Sequence, residues 1–383
     1  MTSSVNVGVV GLGTMGSMAL WRLAERGVRV HGYERFGVGH HRGAAGGQTR
    51  RFSTLSQRIQ QNTPLALEAL ELWRELRRTT EHEVLTLTGG LIFGPEDAPA
   101  LTSAIESART NDLAHEVLGS EDLKARFPQH HVRIGDAGVT DELTGYIRPE
   151  LSVVAAVEAA MGAGATVSQY TRVLGIEGRG NHVVVRTDEG EAHHDAVVVA
   201  PGAWASQLVP GAGADVVPRR LVQAWYVPQD IALYRAERFP VFERVGDVRA
   251  YGFPTVDGAT VKLGFWTGEH PVVGDVEAVD HVVDVAKALE LREQVRRFLP
   301  GLHPEPVNLS IHIEGYTHDS TPLVGPVPGH DGVYAACGFS GSGFKFAPVM
   351  GDIVADYVID GRTRRDAAFM LPQDARTAVA PAR

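Results

Sequence analysis

The chain has 383 residues, 44% hydrophobic and 21% charged, a formal net charge of −10 and a single cysteine. That length exceeds one small core and implies two domains, while the negative balance excludes a polyanion such as nucleic acid as principal partner. One cysteine, Cys337, excludes an internal disulfide and fits a reducing cytoplasm. No apolar run reaches the roughly 20 residues of a membrane span. The apolar N-terminal segment is a glycine-interrupted strand rather than a signal peptide.

In chain order, the first pattern is the most informative. Val5 to Glu34 reads VNVGVVGLGTMGSMALWRLAERGVRVHGYE: an apolar strand, then Gly11, Gly13 and Gly16, a helix, a second strand and an acid. Gly11 permits the tight turn, Gly13 lets backbone approach a pyrophosphate, and Gly16 lets helix and strand pack closely. The helix N-terminus offers free N–H groups to the phosphates. Glu34, 18 residues after Gly16, stands near the spacing of an acid that accepts from a ribose hydroxyl and repels a 2′-phosphate. The bland alternative is a βαβ unit that binds no phosphate.

Thr63-Pro64 marks a helix start, with Leu65, Ala69, Leu72 and Leu76 on one face. Thr86 to Phe93 reads as a strand interrupted by Gly89 and Gly90. Leu151 to Met161 is helical, and Val183–Val185 and Ala196–Val199 frame a polar hairpin. Val241 to Phe265 reads as two strands joined through Asp257-Gly258. A strand from Gly332 to Cys337 opens into GFSGSGFKF, before a helix over Met350–Ile359. The segment from Arg362 to Arg383 ends as a loosely held tail.

The glycine-rich run Gly338 to Phe346 can aim several backbone N–H groups at an anionic or carbonyl group, as the N1–C2=O edge of a reduced flavin requires. On spacing alone a plain strand–turn–helix connection fits equally well. His312 and His318 lack a metal-ligand pattern and read as surface or loop residues, so no metal is expected. His193 and His194 read as a solvated turn, and His40 and His41 as solvated loop residues. There is no nucleophile elbow and no catalytic-cysteine context.

Taken together, the N-terminal fingerprint, QTR at 48–50, TPLALEALELW, TGGLIFGP, PGAW, YGFP…KLGF and GFSGSGFKF resemble the monomeric sarcosine oxidase and N-methyltryptophan oxidase family of flavoprotein amine oxidases, from about residue 5 to 365. The resemblance implies an α/β fold: a Rossmann-type, glutathione-reductase-like FAD domain over 1–84, 140–215 and 310–365. A mixed-sheet substrate domain over 85–139 and 216–309 would roof the flavin, leaving 366–383 as tail. It implies FAD held by Gly11, Gly13, Thr14, Met15, Gly16, Glu34, Arg35, Thr49, Arg50, Val173, Gly202, Trp204, Gly338, Gly341, Ser342, Gly343, Phe344 and Lys345. Lys262 corresponds to the lysine above the flavin that assists reaction with oxygen, Lys345 to a substrate-carboxylate contact and Tyr251 to an aromatic lining the pocket; Arg50, in a loop beside the flavin, is counted with them as catalytic. From the residues alone, Lys262 reads as a solvent-facing strand lysine.

Three departures matter. Glu314 stands where the family has its flavin-tethering cysteine, which implies non-covalent FAD. Ser53 replaces an arginine, and Arg51, if helical, points about 200° away, which implies a weakened carboxylate clamp. Trp266 replaces a histidine and adds bulk. The expected reaction is oxidation of a secondary amine or N-methyl amino acid bulkier than sarcosine, with or without a free carboxylate, by a cytoplasmic monomer or weak homodimer. Oxygen is reduced to hydrogen peroxide. The alternatives are a dehydrogenase that passes electrons to a carrier, a flavoprotein subunit of a larger complex, and, weaker, an NAD-dependent dehydrogenase.

Overall fold

The computed structural model describes residues 5–57, 62–209, 211–266 and 268–372. The fold is mixed α/β, built on two large sheets. The first is six-stranded, in the order Leu323–Pro326, Val333–Cys337, Ala196–Val199, Asn6–Val10, Arg29–Tyr33, Thr166–Ser168. The strand Asn6–Val10 is parallel to both neighbours, pairing Val9 with Val198 on one side and with Gly32 on the other. Alternation divides its apolar residues between two cores. Val7, Val9 and Val198 pack under the helices Thr14–Glu25, Pro149–Gly162 and Ala347–Asp360. Val10, Val197 and Val199 face Val183 and Val185 of a three-stranded sheet over Val173–His194.

The second sheet has eight strands, ordered Asn308–Tyr316, Val217–Tyr226, Val261–Trp266, Arg249–Gly252, Val241–Arg244, Gly90–Pro95, Asp136–Asp141, His115–Leu118. Its two faces differ in chemistry. One carries Ala224, Tyr226, Leu263, Ala250, Phe242 and Leu91 into an apolar core with Leu291 and Val295 of the helix Val285–Phe298. Residues alternating with these, linked by the pairings Trp225–Lys262, Tyr251–Gly264, Arg249–Trp266 and Glu243–Tyr251, give the other face aromatic and ionic side chains.

Local expectations needed correction where the chain changes sheets. Thr86–Phe93 is not one strand: Leu85–Leu87 pairs with Gly145–Ile147 in a small sheet, and Gly90–Pro95 joins the large one. Gly89, with φ +74°, makes the turn between them. The hairpin partner of His182–Thr187 is Gly190–His194, and Ala196–Val199 instead enters the six-stranded sheet. Val241–Phe265 forms three strands, with Asp257-Gly258 joining only the last two. Nor is 366–372 loose: Ala367, Met370 and Leu371 are buried, while 373–383 lies outside the described residues. Just before it, Arg365 reaches the buried Asp352, which also binds Arg22 and Arg26, so one carboxylate ties this end to two helices.

Candidate active site

A long cleft opens at the carboxyl ends of the central parallel strands, with Glu314 and Gly315 of the edge strand of the eight-stranded sheet also in its lining. The fingerprint loop forms one end. Gly16 packs so closely that a Cβ there would lie 1.8 Å from the Gly11 carbonyl oxygen, whereas a Cβ at Gly13 would meet nothing within 4 Å. The open space thus falls where a pyrophosphate must approach. No side chain caps the helix that begins at Thr14, so its first N–H groups remain free. Glu34 accepts from Leu12 N at 2.8 Å and Phe36 N at 2.9 Å. Each carboxylate oxygen keeps a second lone pair for a ribose hydroxyl. Arg35 is paired bidentately with Glu277 at 2.6 Å and 2.6 Å, and Trp204 Nε1 donates to the same carboxylate at 3.0 Å. Arg35 and Trp204 together hold the Glu277 carboxyl down to about 2.

Of the residues singled out from sequence, Gly11, Gly13, Thr14, Met15, Glu34, Arg35, Arg50, Val173, Gly202, Trp204, Gly338, Gly341, Gly343 and Phe344 line this cleft. Gly16 supports it from behind. Ser342 is exposed, and Thr49, Lys262, Tyr251 and Lys345 lie outside the lining. The Gly338–Gly343 loop is pinned by Ser340, whose N–H donates to the Gly315 carbonyl at 3.1 Å and whose hydroxyl accepts from Thr317 N at 3.1 Å.

Lys262 does not face solvent. It is 3% exposed, and its Nζ donates to the carbonyls of Gly47 and Thr49, both at 2.6 Å, with the rings of Phe253 and Trp225 at 5.2 Å and 5.5 Å. Burial and the nearby Arg50 hold its ammonium well below the ordinary lysine range, against Glu150 and Glu314. The loop that grips it is held by Glu150, whose Oε1 accepts from Gly47 N at 2.7 Å and Gln48 N at 3.2 Å. Gln48 Oε1 accepts from Trp225 Nε1 at 2.9 Å.

Tyr251 lies on the same face, its ring 4.9 Å from that of Trp266. The glycine of the KLG run makes room for it, since a Cβ at Gly264 would sit 2.3 Å from the tyrosine ring. Half-buried Glu314 lines the cleft, and burial raises its carboxyl against Arg50 and Lys262. Lys345, donating to the Ser53 carbonyl at 3.2 Å, is lowered to about 7 by burial and then by Arg51.

Two expectations fail here for one reason, that side-chain direction follows the element. Arg51 is not helical: Arg50–Phe52 is a strand, so Arg51 and Ser53 project to the same side. Arg51 therefore reaches the neighbourhood of Lys345 and bonds Glu243 at 2.5 Å. His312 and His194 are not solvated. His312 is 1% exposed, donates from Nδ1 to the Gly43 carbonyl at 3.2 Å, and so accepts from Ser310 Oγ at Nε2. Burial lowers it to about 3, and lowers His194, bonded to Tyr33 Oη at 2.9 Å, to about 4. His40, at 3.3 Å from Glu34, also lines the cleft, while His41 is exposed. Among the described residues no group of side chains could hold a metal ion, and no helix is long and apolar enough to cross a membrane.

Comparison with known proteins agrees with this geometry. A family profile described as FAD dependent oxidoreductase matches residues 6–357. The monomeric sarcosine oxidase of Streptomyces avermitilis is 33% identical over the whole of both chains. The N-methyl-L-tryptophan oxidase of Salmonella heidelberg is 28% identical over 93% of this chain and 94% of that one. Among solved structures, NikD, an unusual amino acid oxidase essential for nikkomycin biosynthesis, superposes with a TM-score of 0.84 at 25% identity, covering 97% of this chain and 98% of NikD. The cleft, its phosphate-ready helix end and these likenesses define an FAD-dependent oxidoreductase. The chain belongs to the monomeric sarcosine oxidase and N-methyltryptophan oxidase family of FAD-dependent amine oxidases.

Proposed function

We propose that the protein oxidises the C–N bond of a secondary amine or N-methyl amino acid bulkier than sarcosine, with oxygen as acceptor and hydrogen peroxide as product. The observation that carries this reading is Lys262: a buried lysine whose Nζ is held by two carbonyls, with no carboxylate bonded to it among the described residues, on the polar face of the eight-stranded sheet. In its protonated form a lysine fixed there stabilises negative charge as oxygen is reduced in a dry site. FAD, when bound, accepts the electron pair and hydrogen from the substrate carbon.

The fingerprint loop, Glu34 and the Gly338–Phe344 loop hold this cofactor in the proposal, with Arg50 and Glu314 beside it. Glu314 offers no thiol for a covalent link, so the cofactor binds non-covalently. Acid precipitation of the protein is expected to leave all the flavin in the supernatant. Tyr251 and Trp266 form the aromatic wall of the amine pocket, whose contact rewards a larger substituent than a methyl group. Lys345 receives the substrate carboxylate. The cofactor side comprises about residues 1–84, 140–215 and 310–365, and the roof 85–139 and 216–309, although the strand Asn308–Tyr316 pairs with the roof sheet.

The test separates the half-reactions. Lys262→Met should slow reoxidation by air far more than anaerobic reduction by an amine; equal slowing of both overturns the assignment. An absence of peroxide in aerobic turnover favours a dehydrogenase that uses a carrier.

A further inference from the structure

The sheet face beyond Tyr251, a wall of the proposed amine pocket, is ionic, where an apolar surface would suit a plain N-methyl substituent. Glu243 lies directly across from Tyr251 in the sheet and is buried. It is shared by three donors: Arg51 Nη1 at 2.5 Å, Gln57 Nε2 at 2.7 Å and Arg249 Nη2 at 3.2 Å. Burial alone would raise this carboxyl, but Arg51, Gln57 and Arg249 outweigh it and hold it below its ordinary value. Glu243 is therefore ionised, and it is outnumbered. Arg51 and Arg249 supply two guanidiniums to one fixed anion, and Lys345 adds a cation nearby when it is protonated. The remaining nearby carboxyl, Asp141, is raised by burial.

The excess charge has unused hydrogen-bonding capacity. Arg51 Nε is buried and has no partner among the described residues. The Arg249 guanidinium lies 4.6 Å over the Trp266 ring, its side chain one-third exposed, and gives only one of its N–H groups to Glu243. A desolvated cation without a counter-charge is costly. A planar guanidinium with free N–H groups suits a carboxylate best. The two guanidiniums thus share one anion and keep N–H groups to spare.

We propose that this wall is a second anion subsite, and that the natural substrate is a secondary amine bearing two carboxylates: one at Lys345, and a distal one received by Arg51 and Arg249. Glu243 holds one arginine at each carboxylate oxygen and competes with the distal carboxylate for them. This rests on the amine-oxidase reading, and in particular on Lys345 as the first carboxylate contact.

Unreactive acids test the two separately. Calorimetric titration of the FAD-loaded protein with glutarate and with butyrate compares a dicarboxylate with a monocarboxylate of similar length. Glutarate should bind about tenfold tighter or more, the effect of one added charge-assisted contact. Arg249→Met should reduce that ratio to about one without changing butyrate binding. Glu243→Gln, which removes the competing internal anion, should raise it, and this variant carries the test if Arg249→Met does not fold. Equal affinities of the wild type for the two acids overturn the second subsite and leave the amine-oxidase reading intact. A wild type that binds neither acid overturns the carboxylate pocket itself.

Discussion

Lys262 and Lys345 are held at opposite ends of the strand Arg50–Phe52. Lys262 is buried and bonded to carbonyls, whereas Lys345 is half-buried with a single long bond, so Lys345 is the one free to take an anion. Its value of about 7 sets a pH window. Because the folded value is lowered, the unfolded chain binds more protons between about 7 and the ordinary lysine value. The contribution of Lys345 to stability is therefore unfavourable below about 7 and recovers as pH rises through that range. Ligand binding runs the other way, since the protonated form is needed. Butyrate affinity is expected to fall about tenfold per pH unit above 7, and Lys345→Met should flatten the profile. A flat profile in the wild type means that another cation holds the carboxylate. Lysine chemistry of this kind was legible only by resemblance, because sequence does not reveal which strand face meets solvent. The ionic wall was not legible at all: Arg51 and Glu243 lie 192 positions apart, on strands of two different sheets.

Among elements, the loop before Arg50 does more than its composition suggests. Gly47 and Gln48 both adopt left-handed conformations, φ +88° and +71°, which turns the carbonyls of Gly47 and Thr49 toward Lys262. Glu150, on the helix Pro149–Gly162, stabilises that arrangement by accepting both N–H groups. Gly47→Ala would place a Cβ 2.1 Å from Gln223 Oε1 on a backbone that side chains rarely adopt. The expected cost is about 1–3 kcal/mol of stability, visible as a lower melting temperature. Because the cradle shifts with it, reoxidation should also slow, resembling Lys262→Met in direction. Unchanged reoxidation in a destabilised variant separates the cradle from the chemistry. The fingerprint was readable because its determinants are contiguous. The cradle was not, because Gln48 shows no local sign that it must leave the allowed regions, and its partners come from another helix and sheet. The misplaced strand at Thr86–Phe93 has the same origin: a residue-by-residue pattern does not record that Gly89 hands the chain from one sheet to another.

At the scale of the molecule, the cleft draws its walls from the fingerprint loop, the Pro201–Trp204 turn, Glu314 on the roof sheet and the loop after Cys337. A cofactor seated there contacts elements from both large sheets, so its binding should stabilise the molecule as a unit. The single cysteine offers a reporter. Cys337 ends a strand of the six-stranded sheet, is 1% exposed, and burial pushes its thiol up to about 12. In the native state it lacks both the exposure and the thiolate that a maleimide requires, so labelling must wait for opening. FAD that binds only the folded form at a hundredfold excess over its Kd contributes about 2.7 kcal/mol. When reclosing outpaces labelling, the rate follows the population of the open form. Removing FAD should then accelerate labelling about a hundredfold. If the rate is the same with and without FAD, the strand before Gly338 opens locally rather than with the sheet, and the glycine-rich loop is not clamped by the cofactor. If acceleration is seen but Glu314→Gln abolishes it, the coupling passes through the roof sheet; if Gly13→Val abolishes it instead, the coupling passes through the phosphate end of the cleft, where a Cβ meets no protein atom and only the ligand would be displaced.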